Sequence, residues 1–323
     1  MSRLSIKDRK ILYHLDLNSR QSYSIIGKRT GLHKNSVQYR IKLMEKSGII
    51  NGYYTIIDSF KLDYEVLKMY FTFQYTTPKI EKDIITYFSN SKYIWALYTV
   101  NGWFDLDVIL WVKDRYQFFN FWEKTLLKYG DYFQDIKLSF YIRLKAFRSD
   151  YLLTDIQQNI PRNVSTLTGE KTKIHIDQLD FDILSLIAPN ARISLTEISE
   201  TLERPRSLIK SRFNRLIKNK VIQGFRVKLD ISKIGYVFFK VDIQLKDYNN
   251  RNKILKYISQ NPHLVAIDET IGVSHIELEL QLHNVEELHE IMNDISTKFP
   301  EAIRSYRFIS IKKLHKLSYF PVY

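Results

Sequence analysis

The chain has 323 residues, more than one ordinary core organises, so two to four domains are expected. Its net charge of +14 suits a polyanionic partner, while 45% hydrophobic and 14% aromatic residues are enough to fill several cores. The absence of cysteine excludes disulfides, Cys-ligated zinc and thiol nucleophiles and fits a cytoplasmic setting. No apolar run nears the roughly 18 residues of a membrane span, and the first residues lack a signal-like apolar segment.

From Ser5 onward the pattern is helical. Ser5 and Asp8 form a capping-box pattern ahead of Ile11, Leu12 and Leu15, which predicts a helix over 7–17. Ser22 caps a second short helix ending at Thr30, and Gly31 permits a sharp turn. A third helix over 34–47 buries Val37, Ile41 and Met44. Ile49-Ile50-Asn51-Gly52-Tyr53-Tyr54 reads as a hairpin turning at Asn-Gly. Three short helices and a wing predict a winged helix-turn-helix, whose last helix enters the DNA major groove. The outward side of that helix offers Lys34, Asn35, Ser36, Gln38, Tyr39, Arg40 and Lys42. Residues 1–60 hold 11 Lys and Arg against 4 Asp and Glu, so this segment carries about half of the excess positive charge.

The period then changes. Strands are predicted over 66–75, 93–100, 104–112 and 136–146, with helices over 79–89 and 116–128. The order βαββαβ is that of a ferredoxin-like sandwich. Helices cover one face of its sheet; the other, with Tyr70, Phe71, Phe73, Tyr98 and Trp111 assigned to it, needs a separate cover. Residues 151–175 are rich in Asn, Thr, Gln, Ser, Pro and Gly and read as a linker with a short structured start at Tyr151-Leu152-Leu153.

After the linker the chain repeats itself. Ile11-Leu12 recurs as Ile183-Leu184, Arg20 as Arg192, Ile26 as Ile198, Arg40 as Arg212, Gly52 as Gly224 and Asp58 as Asp230, each shifted by 172 (183 − 11). Tyr87 and Tyr257, then Gly102 and Gly272, follow at a shift of 170 (257 − 87). The fold class is therefore α+β with two tandem repeats: winged helix-turn-helix modules at 1–60 and 176–232, sandwiches at 61–150 and 233–323, and a linker at 151–175. The sandwich of copy two is the obvious cover for that of copy one. Its third helix offers Arg204, Arg206, Ser207, Lys210, Arg212 and Arg215, with Lys218 beyond. Asn35, Gln38, Arg206 and Lys210 are the expected base-edge readers; Arg40, Lys42, Arg212, Arg215 and Arg226 are the expected phosphate contacts, although Arg40 and Arg212 also suit a structural role.

Asp8-x-x-Ile11-Leu12, Asn18-Ser19-Arg20, Val37-x-x-Arg40-Ile41 and Glu45-x-x-Gly48-Ile49-Ile50-x-Gly52-Tyr53, with their partners Leu179-Asp180-x-x-Ile183-Leu184, Asn190-Ala191-Arg192-Ile193 and Val221-Ile222-x-Gly224-Phe225, resemble the Lrp/AsnC family of transcription regulators over almost the whole chain. The resemblance implies double-stranded DNA as partner, self-association through the sandwiches and an amino-acid effector beside a Gly-x-x-Asp turn. Copy one keeps that turn as Gly102-Trp103-Phe104-Asp105; copy two reads Gly272-Val273-Ser274-His275 and lacks the acid. Gly102, Asp105 and Gly272 are thus the effector candidates. The family's usual serine at the start of the recognition helix is replaced by His33 and Pro205. No cofactor, metal or catalytic residue is expected. Two other readings compete: a haem-pathway enzyme resembling sirohaem decarboxylases, which the scattered histidines disfavour, and an interaction protein that does not bind DNA, which the basic third helices disfavour.

Overall fold

The computed structural model describes residues 4–153, 162, 164–168 and 173–321. Copy one runs α1 (Ile6–Leu17), α2 (Tyr23–Thr30), α3 (Lys34–Lys46), β1 (Ile50–Ile57), β2 (Glu65–Phe73), α4 (Pro78–Asn90), β3 (Ile94–Gly102), β4 (Leu106–Val112), α5 (Arg115–Tyr129) and β5 (Phe133–Phe147). After β6 (Val164–Thr168), copy two runs α6 (Gln178–Ile187), α7 (Leu195–Thr201), α8 (Arg206–Lys218), β7 (Ile222–Leu229), β8 (Val237–Leu245), α9 (Arg251–Ile258), β9 (Leu264–Ile271), β10 (Ile276–Leu282), α10 (Val285–Lys298) and β11 (Ile303–Leu317). Ser5 and Ser22 cap α1 and α2 through their hydroxyls, and Ile11, Leu12, Leu15, Ile26, Val37 and Ile41 are fully buried among the three helices.

The wing is not a hairpin. Asn51-Gly52 lies inside the continuous strand β1, with Gly52 at φ +122° where the register slips between Ile50 and Tyr53. The dipeptide makes a bulge instead of a turn, because the partner strand comes from the other copy. β1 and β7 pair antiparallel, and Tyr54 sits opposite Arg226, its own counterpart at the 172 shift. A pseudo-twofold axis therefore passes through this pair.

The same symmetry governs the sandwiches. Their two sheets lie face to face and also join at both edges, β5 with β9 and β3 with β11. With β2 paired to both β4 and β5, the order β2-β4-β3-β11-β8-β10-β9-β5 closes into a ring of eight strands. The linker adds to it, since β6 pairs antiparallel with β5. Tyr151, Leu152 and Leu153 are buried against the first helical module, and Leu167 on β6 is buried as well.

Strand alternation separates the faces. Leu67, Met69 and Phe71 pack under the helices α4 and α5, and Phe73 joins them, which corrects the assignment of Phe71 and Phe73 to the open face. Lys68 and Tyr70 point the other way, into the ring. The ring interior is charged as well as aromatic. Lys68 pairs with Glu277, and Lys240 pairs with Asp107 at 2.7 Å and with Glu279 at 3.2 Å. Lys68 and Lys240 are counterparts, as are Asp107 and Glu277, so the two copies exchange one equivalent ion pair in each direction. Asp268 accepts a hydrogen bond from the Tyr141 hydroxyl at 2.7 Å.

Burial pushes the Asp268 carboxyl up to about 8, helped by Glu279 and opposed by Lys68, and pushes Asp242 up to about 7. An unfolded aspartate ionises near pH 4. Between about pH 4 and 8 the folded chain holds a proton that the unfolded chain has lost, so this group makes stability fall as pH rises through that window. Asp268→Asn keeps the acceptor for Tyr141 and removes the titration. Its melting midpoint relative to the parent is expected to be higher at pH 8 than at pH 5; thermal melts showing the same difference at both pH values would contradict the assignment.

Candidate nucleic-acid interface

α3 and α8 each bury one stripe and expose the rest. Val37, Ile41 and Met44 face inward on α3, and Ile209, Phe213 and Leu216 on α8. Lys34, Asn35, Ser36, Tyr39 and Lys42 stand exposed on α3, with Gln38 half-buried; Arg206, Ser207 and Lys210 are exposed on α8, preceded by the exposed Arg204. His33 substitutes for the missing serine, because its Nδ1 accepts the Asn35 N–H at 3.3 Å. Pro205 provides no such acceptor at the start of α8.

Several predicted phosphate contacts are committed elsewhere. Arg226 is a correction. It is buried and bidentate to Asp16 on α1, with Nε–Oδ1 2.7 Å and a second bond of 2.6 Å, and it donates to the Phe147 carbonyl at 2.8 Å. These bonds hold its guanidinium between α1 and the end of β5. Arg40 reaches Asp8 at 2.9 Å and Ser5 at 3.3 Å; its counterpart Arg212 reaches Asp177 at 2.5 Å and Asp180 at 3.2 Å. Arg215 also pairs with Asp180. In both copies, then, an arginine ties the recognition helix to the start of the module's first helix. Lys42, Arg206 and Lys210 are exposed and form no side-chain ion pair among the described residues.

Two arginines that the sequence marked only as repeats hold the modules together. Arg20 donates to the carbonyls of Ala191 at 2.6 Å and Ile193 at 2.9 Å, and its guanidinium lies 5.2 and 5.4 Å from the ring centres of Phe213 and Phe225. Arg192 returns the contact, lying 4.9 Å from Tyr23 and 5.0 Å from Tyr53. Each recognition module is therefore clamped by the other.

The effector candidates carry structural duties. Gly102 holds φ +138°, and a Cβ there would stand 2.8 Å from the Phe308 carbonyl oxygen; Gly272 holds φ +146° with its Cβ position against Leu138 and Ser139. Asp105 accepts the Phe73 N–H at 2.8 Å, closing the end of β2. His275 Nδ1 accepts the Leu245 N–H at 2.9 Å, the equivalent bond at the end of β8. Copy two has therefore changed the acid without losing the hydrogen bond. Phe104 stacks on Tyr70 with ring centres 4.6 Å apart, and Trp103 lies against Phe104 at 3.8 Å, so aromatic rings fill the space beside the turn.

Histidines are dispersed. His14 is half-buried on α1, where desolvation lowers its pKa to about 4, while His263 and His283 flank Tyr236. Among the described residues no three His, Asp or Glu side chains gather into a metal-holding group.

The fold and this surface define a protein with two winged helix-turn-helix modules. The family described as "Winged helix-turn-helix DNA-binding" matches residues 4–51 and again 176–223. An uncharacterized HTH-type transcriptional regulator of Pyrococcus abyssi is 25% identical over 154 residues, which span 47% of this chain and 95% of that protein. The HTH-type transcriptional regulator LrpB of Bacillus subtilis is 25% identical over 122 residues, 38% of this chain and 82% of its own length. Regulatory protein AsnC of Haemophilus influenzae is 28% identical over 119 residues, 36% of this chain and 79% of its own. Each relative corresponds to less than half of this chain. The chain thus carries two tandem copies of a winged helix-turn-helix DNA-binding module, and its halves are similar to Lrp/AsnC-type transcription regulators. Over its full length its fold is similar to a crystal structure of the siroheme decarboxylase NirDL, with a TM-score of 0.65, 97% of this chain and 94% of that one covered, and 13% identity.

Arg226 and Asp16 give a direct check on the reassignment. Arg226→Ala leaves a buried carboxylate without its partner and is expected to cost about 3–5 kcal/mol of stability, as broken buried pairs do. Denaturant unfolding reads the loss; a variant as stable as the parent would return Arg226 to the list of surface contacts.

Proposed function

We propose that the protein is a DNA-binding transcription regulator whose two recognition helices read two different half-sites from a single polypeptide. The observation that carries this reading is the pair α3 and α8, which stand in modules locked to each other and each present an exposed polar and basic face. Their readers differ: Asn35, Ser36 and Gln38 in copy one against Arg206, Ser207 and Lys210 in copy two. A homodimer offers two identical helices and selects a palindrome. This chain offers amide side chains, suited to adenine, at one end and Arg and Lys, suited to guanine, at the other. The half-sites are then unequal and lie about one helical turn, or a multiple of it, apart.

Lys210→Ala combined with Arg206→Ala is expected to abolish protection of one half-site in footprinting while leaving the other and the melting midpoint unchanged. Lys42→Ala, a phosphate contact, weakens all sequences alike and lowers the slope of log affinity against log salt by about 1. An unchanged footprint in the double variant rules out α8 as a reader.

A further inference from the structure

A large open space lies between the β1/β7 ribbon and the mouth of the strand ring. It is a cavity of about 840 Å³, inside the range of roughly 300–1,000 Å³ found for small-molecule sites. It straddles the pseudo-twofold axis, yet its two halves differ. Trp95, Trp111 and Tyr54 from copy one are joined in the lining by Val265, Gln281 and Arg226, their own counterparts from copy two. Trp95 and Trp111 stack with ring centres 5.4 Å apart at 10°, and Tyr54 stacks on Tyr319 at 4.4 Å. Arg226 is already neutralised by Asp16. Lys228, Lys312 and Lys313 also line the space, with the carboxylates of Asp230 and Glu279; Glu279 is paired with Lys240, Lys228 lies 5.7 Å from the Tyr319 ring centre, and Lys312 and Lys313 are exposed and in no ion pair among the described residues.

Flat indole and phenol rings along one side offer stacking to a planar body. The exposed ammonium groups of Lys312 and Lys313 offer charge to an anion. We infer that this cavity is a binding site for a flat aromatic molecule carrying a carboxylate, with the ring system between the aromatic side chains and the carboxylate at the lysines. The site is distinct from the Gly102 turn, whose space is filled by Trp103 and Phe104. An occupant touches Tyr54 and Thr55 on β1 and Lys228 on β7, the ribbon that joins the recognition modules, and Trp95 on the ring. Occupancy therefore bears on how the two recognition helices stand relative to the ring; that consequence, unlike the binding itself, rests on the DNA-binding reading above.

The test uses the full chain and 1-pyrenebutyrate, which accepts excitation energy from Trp95 and Trp111, with 1-pyrenemethylammonium as the cationic control. Saturable transfer with a Kd below about 100 µM is expected for the anion, and binding at least about tenfold weaker for the cation. Lys312→Glu with Lys313→Glu, and separately Trp95→Leu, are each expected to weaken the anion by about tenfold while the melting midpoint stays near that of the parent. Absence of saturable binding, equal binding of both pyrenes, or insensitivity to both folded variants would overturn the site. A second measurement follows anisotropy of labelled DNA selected by this chain from a random pool, with and without the probe. Unchanged DNA affinity at saturating probe overturns the coupling; probe binding by a chain that selects no DNA keeps the site and overturns the DNA-binding reading.

Discussion

The antiparallel pairing of β1 with β7 is the constraint from which the rest of the molecule follows. A strand with an unpaired edge must find a partner, and here each module's wing strand finds it in the other copy. Pairing Tyr54 against Arg226 puts the symmetry axis through two side chains and fixes the separation of α3 and α8. The crossing is reinforced by main-chain bonds that leave the strands: Ser19 N–H to the Phe225 carbonyl, Thr55 N–H to Ala188 and Ala191 N–H to Tyr53. Arg20 and Arg192 then close over the rings of the opposite module. Each module's loops and rings are held by the other, so α3 and α8 are tied into one unit.

The strand ring answers the same edge problem by closure. Two four-stranded sheets, each covered by helices on one face, join at both edges and leave no free edge between them. The cost is an interior that contains Lys68, Lys240 and five carboxylates. Buried pairs of this kind contribute little net stability compared with apolar residues of the same shape, but a mispaired register would strand each charge without a partner. The exchanged pairs Lys68–Glu277 and Lys240–Asp107 thus specify which sheet faces which and in what register. Burial raises the Asp268 and Asp242 carboxyls well above the usual carboxylate range.

Duplication within one chain frees the copies from identity. A homodimer that changes one residue changes both; this chain changes them singly. Asp105 and His275 hold the same hydrogen bond with different chemistry. Tyr54 and Arg226 share the axis, yet one stacks on Tyr319 and the other is buried on Asp16. On the recognition helices and in the cavity the same freedom gives two unlike surfaces.

The sequence by itself determined the local elements and their repetition. Helical spacing of Ile11, Leu12 and Leu15, the caps at Ser5 and Ser22, and alternation along β4 are properties of neighbouring residues, and the shift of 172 needs no coordinates. Facing sheets could be expected too, since an apolar sheet face demands a cover. Partnership across the chain was decided only by the tertiary structure. Asn51-Gly52 has the composition of a hairpin turn and becomes a bulge, because the strand that satisfies its backbone lies more than 160 residues away. Arg226 has the composition of a phosphate contact and becomes a core ion pair, because the distant strand pairing brings Asp16 beside it. Residue type and periodicity set what each segment can form; which of two satisfactory partners a strand or a charge takes is set by the whole chain packing at once.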